Sequence, residues 1–169
     1  MIYGLIINKL KAPFFTDLKE MFDTLGSMVN NYNWLLSDYS CNVYPCKKIP
    51  IDKEFVWFTG EEFIETVSKH NIQFIWGVAT AYAKDIPLGD VLKYSLPFAN
   101  GYTGFWKSTI TMQNSLADIE IVPWDASLVL VISKSKMIVD KFAKEYPDSQ
   151  DLREYNQGFI TNDVNKSDV

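Results

Sequence analysis

The stretch that decides the fold is Ile119-Glu120-Ile121-Val122-Pro123-Trp124-Asp125-Ala126-Ser127-Leu128-Val129-Leu130-Val131-Ile132. Two aliphatic, β-rich runs flank a short polar-aromatic break. That pattern predicts either a hairpin or one long strand with a bulge. Upstream, Ile72 to Ala83 reads as a long strand with two unlike faces. Phe74, Trp76, Val78, Thr80 and Tyr82 point one way, while Ile75, Gly77, Ala79, Ala81 and Ala83 point the other, because successive strand residues face opposite sides. The small-residue face would let a helix pack close against the sheet. Shorter extended runs are expected at the N-terminus (Met1 to Lys9), at Tyr32 to Ser40, at Asn42 to Tyr44 and at Phe55 to Phe58.

Helices separate these runs. Pro13 to Gly26 carries Phe14, Leu18, Met21, Phe22 and Leu25 on one apolar stripe. Pro13 suits its first turn, and Gly26 the position just past its last. A second helix starts after Phe58. Thr59 is its expected N-cap, Glu62 three residues on completes a capping box, and Phe58 and Phe63 are placed to staple across it. Phe63, Ile64 and Val67 supply its buried face, and Lys69, His70 and Asn71 close it. Ser133 can cap a third helix that places Ile138, Phe142 and Tyr146 on one face, with Asp140 and Lys144 paired on another. Pro147 stops that helix, and Asp148 could cap a final short turn through Leu152 and Tyr155. The expected fold is therefore α+β: one domain over residues 1–160, a mixed or mainly antiparallel sheet, about three packing helices, and a frayed tail at 161–169.

Composition bounds the function. The 169 residues carry 16 Lys plus Arg against 21 Asp plus Glu, a net charge of −5, and Arg153 is the one arginine. An acidic chain without clustered cations argues against nucleic acid or an anionic membrane as main partner. From Lys144 onward six acids face three bases, so most of the net charge belongs to the C-terminal stretch. Aromatics make up 15% of the chain, which argues against disorder. A chain of this length buries roughly 70% of its unfolded surface and needs no metal or disulfide staple. The apolar run at Met1–Ile7 has no preceding basic residues and no cleavage site after it, so a secretory signal is not expected and a cytoplasmic location follows. On that basis Cys41 and Cys46, in a C-x4-C spacing, are expected as thiols, with one disulfide as the alternative.

Catalytic options are few. His70 is the one histidine, and its place at a helix end reads as a surface or capping residue. An enzyme would need His70 beside Cys41, Cys46 or a carboxylate in a cleft. Two cysteines and one histidine lack the paired spacing of a structural zinc site, and no metal or cofactor is expected. Gly101-x-x-Gly104 has no following Lys-Ser or Lys-Thr, so no phosphate loop is read there.

Regular periodicity fails from Ile86 to about Ser108. A structureless stretch of that length is uncommon in a compact domain and is usually functional or mis-assigned. Tyr94, Phe98, Tyr102, Phe105 and Trp106 crowd into it, with Gly101 and Gly104 read as sites of unusual backbone angles. Exposed loop aromatics are common interface anchors, so these five, together with Asp125 in the 123–126 break, are the candidate binding residues. The bland alternative folds them back as a lid on the core.

The run EIVPWDASLVLVISKSKMIVDKFAKEYPDSQDLREYN, Glu120 to Asn156, resembles the C-terminal part of small bacterial α+β proteins. Those proteins end in a strand, a W-D-x-S turn, a strand, a helix, a proline and an L-x-x-Y-N closure. Tyr32 to Trp34 (YNW) and Phe58 to Phe63 (FTGEEF) are similar to them too. Some are of suspected toxin-immunity type, and the resemblance implies at most that function, with no catalytic residue carried over. The leading expectation is thus a non-catalytic protein-binding module, an inhibitor or immunity protein, for a partner that is itself basic. A small-molecule or sensor domain is the alternative, with an aromatic-lined pocket under the 86–108 loop and Asp118, Glu120 or Asp125 converging on it. An enzyme using His70 stands third.

Overall fold

The 119–133 stretch forms a hairpin, with strands at Ile119–Trp124 and Leu128–Ser133 paired antiparallel in continuous register. Asp125 and Ala126 both adopt left-handed backbone, φ 48° and 50°, and the Ser127 N–H closes the turn on the Trp124 carbonyl at 3.0 Å. Two consecutive left-handed residues make the primed turn whose twist matches paired strands. Pro123 lies past Ala79↔Ile121, the last pair on that end of the neighbouring strand, where its missing N–H costs no ladder bond.

The computed structural model describes residues 1–9, 16–42, 47–70 and 72–164, with side chains to residue 158. Among them are seven strands: β1 Tyr3–Ile7, β2 Tyr32–Cys41, β3 Phe55–Thr59, β4 Phe74–Ala83, β5 Ile119–Trp124, β6 Leu128–Ser133 and β7 Gln150–Asp151. They form one sheet in the order β3-β2-β4-β5-β6-β1-β7, every pairing antiparallel. The helices are α1 Leu18–Leu25, α2 Gly60–Lys69, α3 Leu88–Val91, α4 Lys136–Glu145 and α5 Leu152–Val164. The expected α+β domain is what forms, with an antiparallel sheet and two helices more than the sequence pattern indicated.

Strand alternation sorts the core into two sides. Leu36, Ala79, Ala81, Ile119, Ile121, Val129 and Val131 pack with α1, α2 and α4. Phe22, Trp34, Phe58 and Phe63 centre that side with ring centroids 4.5–6.2 Å apart. Ala79 and Ala81 of β4 do face helices, as their size predicts. Phe74 departs from the expected alternation and joins the helix side, because β2 and β4 lose regular register between Ser37 and Cys41. On the opposite face, Ile6, Val78, Val122, Leu130 and Ile132 pack with Phe105, Ile110 and Leu152, so segment 86–117 and α5 cover that side.

Several local expectations change. α1 begins at Leu18, not Pro13: Thr16 is left-handed at φ 68°, and Asp17 caps the helix by accepting from the Lys19 N–H at 2.8 Å. Pro13, Phe14, Val43, Tyr44, Cys46 and Asn71 lie outside the described residues. The capping box of α2 forms in full, and Phe58 stacks on Phe63 at 4.5 Å. α4 begins at Lys136, three residues after Ser133, with Ser135 at its N-cap. The Ser133 hydroxyl instead bonds the Asp118 carbonyl and the Ser135 N–H, holding the turn before the helix. Lys136, not Lys144, pairs with Asp140, at 2.6 Å. Asp151 rather than Asp148 caps α5, accepting from the N–H groups of Arg153 and Glu154, while Asp148 pairs with Lys9 at 3.1 Å. α5 also continues to Val164, into the stretch expected as tail.

Candidate functional site: an aromatic cleft beneath a polar-anchored strap

Residues 86–117 lack strands because their backbone groups are satisfied by side chains, many of them distant in sequence. Asp38 sits in the irregular part of β2 with φ 46°, a conformation Asp tolerates better than most residues. Its carboxylate accepts from the N–H groups of Ala99 at 2.7 Å and Asn100 at 2.8 Å. Next to it, the Ser37 hydroxyl donates to the Pro97 carbonyl at 2.6 Å. Gln113 clasps Phe98 through both its N–H (3.1 Å) and its carbonyl (2.9 Å), as a paired strand would. From α5, the buried Asn156 amide donates to the carbonyls of Phe105 and Lys107. The segment is thus an ordered strap, and buried backbone polar groups require such partners.

Four of the five candidate loop aromatics join one run of rings. Phe98 meets Tyr102 at 5.1 Å, Tyr102 meets Phe105 at 4.7 Å, and Phe105 meets Trp124 at 5.8 Å, each nearly edge-to-face. Trp124 also meets Trp76 at 4.8 Å and Trp106 at 5.1 Å, and Trp106 meets Tyr155 at 6.2 Å. Edge-to-face pairs set the positive rim of one ring on the negative face of the next, which fixes their angles as well as their positions. At its outer end the run opens into a cleft of about 430 Å³ lined by Trp106, Trp124, Ser127, Leu128, Tyr155 and Asn156. Neither protein-family models, curated proteins nor solved structures match the chain.

Phe105 is buried and cannot serve as an exposed anchor, while Tyr102 and Trp106 are half-buried. Tyr94 and Phe98 are the two exposed ones, each 43% accessible. Tyr94 stands apart from the ring run, and Phe98 faces a shallow groove beside Asp38 and Lys53. Asp125 is exposed in the turn between Trp124 and Ser127, at the rim of the cleft but not lining it. Gly101 has the expected left-handed angle, φ 80°, but Gly104 does not: it leaves room for the Tyr102 ring, which a β-carbon there would strike.

Trp76, Trp124, Leu128, Tyr155 and Asn156 were not among the sequence candidates. Trp76 was legible through its place on the same β4 face as Val78 and Thr80. The other four come from stretches distant in sequence from the loop, and only the hairpin and α5 bring them to it.

Asp118, Glu120 and Asp125 do not converge. Asp118 lies 3.6 Å from Lys134. Glu120 is fully buried opposite Thr80 on β4. One carboxyl oxygen accepts from the Gln113 N–H at 2.7 Å, while the other, the Thr80 hydroxyl and the Tyr82 hydroxyl make no hydrogen bond of normal geometry among the described residues, although the Tyr82 hydroxyl lies near Thr80 and Asn114. Burial raises the Glu120 carboxyl to about 7, against which the N–H groups of Gln113 and Asn114 act only in part. Burial, and then the neighbouring Glu120, push the Tyr82 phenol up. His70 ends α2 as an exposed cap residue, and Cys41 is buried at the end of β2. Among the described residues no helix is long and apolar enough to cross a membrane.

Proposed function

We propose that the chain is a non-catalytic protein-binding module, of inhibitor or immunity type, that seats an apolar or aromatic side chain of a partner protein in the cleft between Trp106, Trp124 and Tyr155. The observation that carries this reading is the open aromatic cleft, whose rings are held at fixed angles by a run extending back to Phe98. Rigid aromatic pockets are where interface energy concentrates, since a few anchored side chains dominate binding. Tyr155 and Asn156 belong to the stretch that carries most of the net negative charge, so a basic partner would be steered to this wall.

The test is affinity capture from the source cells with wild type and Trp106→Ala in parallel, both verified as folded by circular dichroism. A protein held by wild type and lost on Trp106→Ala supports the reading, and retention of every captured protein by the variant refutes it. The volume of the cleft also suits a small apolar ligand. In that second reading such a ligand changes the Trp106 and Trp124 fluorescence with no protein partner present.

A further inference from the structure

Glu120 lies where strap and sheet meet. Its floor is β4 and β5, which are locked in register at Thr80↔Glu120, and on its other flank β6 sets Ile132 opposite. Its cover is the strap: the Gln113 N–H bonds the carboxyl, and the Gln113 side chain in turn clasps Phe98 at both backbone groups. Asn114, fully buried beside it, ties the same stretch to the Val91 carbonyl at 3.3 Å and to the Leu116 N–H at 3.0 Å. One side chain of the sheet therefore connects, through a single intermediate residue, to the exposed aromatic Phe98.

The chemistry of this cluster depends on one proton. Three buried oxygens there make no hydrogen bond of normal geometry: the second carboxyl oxygen of Glu120, the Thr80 hydroxyl and the Tyr82 hydroxyl, the last of which lies near Thr80 and Asn114. A neutral carboxyl has an O–H, which can donate to one of these hydroxyls and so satisfy two of the three at once. An ionised carboxylate only accepts, and an unpaired buried charge is strongly disfavoured. Thr80, Gln113, Asn114 and Ile132 around it are uncharged, and Tyr82 on β4 is the titratable group that faces it, itself neutral in this range. Asp118, just before β5, is engaged by Lys134. With no cation to pair, the charge is relieved by water, and water can enter only where the cover is not sheet.

We propose that Glu120 is a proton-operated latch for the strap: neutral, it holds residues 112–117 closed over the sheet and Phe98 in place, and ionised, it favours local opening of that segment. This device is independent of whether the aromatic cleft takes a partner. In the opened segment the carboxyl meets water and titrates at its ordinary value, whereas in the closed one it is held near 7 by burial. Opening is therefore favoured as pH rises from about 4.5 to 7, by up to about 300-fold.

Amide hydrogen exchange on the full chain tests this, with rates corrected for intrinsic pH dependence and read at Phe98, Gln113 and Asn114 between pH 5 and 8. The expected result is protection at these amides below that of Val131 in β6, falling by one to two orders of magnitude across the range (on the order of the 300-fold ceiling). In Glu120→Gln the fall disappears. Flat protection in wild type overturns the latch. So does protection equal to that of Val131 at every pH, because Glu120 would then meet water only when the whole domain unfolds. Both overturning results are read on the unmodified chain and do not require the variant to fold.

Discussion

Replacing Glu120 with glutamine changes the pH dependence of stability in a direction and by an amount the structure sets. The folded carboxyl is held near 7 by burial, against 4.5 in an exposed chain. Below the lower value both folded and unfolded chains hold the proton, and the contribution is fully present. As pH rises the unfolded chain gives up its proton first, so folding binds more protons and stability falls until the folded group also titrates. The difference of roughly 2.5 pH units, at about 1.4 kcal/mol each, amounts to about 3 kcal/mol lost between pH 4.5 and 7. Glutamine preserves the shape, its carbonyl can still accept from the Gln113 N–H, and its amide can donate to Thr80 or Tyr82 in place of the carboxyl O–H. The variant should match wild type near pH 4.5 and exceed it by about 3 kcal/mol at pH 8. Urea unfolding followed by tryptophan fluorescence at several pH values measures both chains, and their difference cancels every other titrating group. A difference that stays constant within a few tenths of a kcal/mol from pH 4.5 to 8 would show that Glu120 is not protonated in the fold.

Other positions test separate parts of the structure. Asp38→Ala removes the acceptor of two strap N–H groups and should cost about 2–3 kcal/mol, seen as a lower urea midpoint and faster exchange at Ala99 and Asn100. Gly60→Ala places a β-carbon inside the contact distance of the Val29 carbonyl, backbone against backbone, and should lower thermal stability by an amount equivalent to about 1–3 kcal/mol. Ala126→Gly relieves a left-handed alanine in the β5–β6 turn and should raise stability by about 0.5–1 kcal/mol, with no change at the cleft.

What the sequence made legible follows the range over which each signal acts. The α2 capping box and staple are written within Phe58–Phe63 and form as read. The two faces of β4 are written in period two, and they sort helix from strap correctly through Val78–Ala81. Starts of helices were less legible, because the residues that compete for the cap stand side by side. Ser133 and Ser135 both have a hydroxyl near the start of α4, and the one nearer the strand was taken by the Asp118 carbonyl. Asp148 and Asp151 both precede α5, and the former is held by Lys9, 139 positions away.

The strap was illegible for a related reason, and its lack of periodicity is informative rather than empty. A periodic pattern arises when a segment orders itself by repeating one relation to a neighbouring layer. Segment 86–117 is ordered instead by single side chains of β2, β5 and α5, at separations of 60 residues for Ser37–Pro97 and 51 for Asn156–Phe105. Each such bond can sit anywhere along the chain, so no spacing reveals it. The same mode of anchoring concentrates control in few places. A strand held by a ladder loses little when one bond goes, whereas Phe98 is clasped by one glutamine, and that glutamine is tied to the sheet by one buried carboxyl. On the proposed latch a single change of charge at Glu120 loosens that clasp, while Ser37 and Asp38 keep the neighbouring backbone of Pro97, Ala99 and Asn100 on β2. This links Glu120 to Phe98 without requiring any motion in the sheet itself.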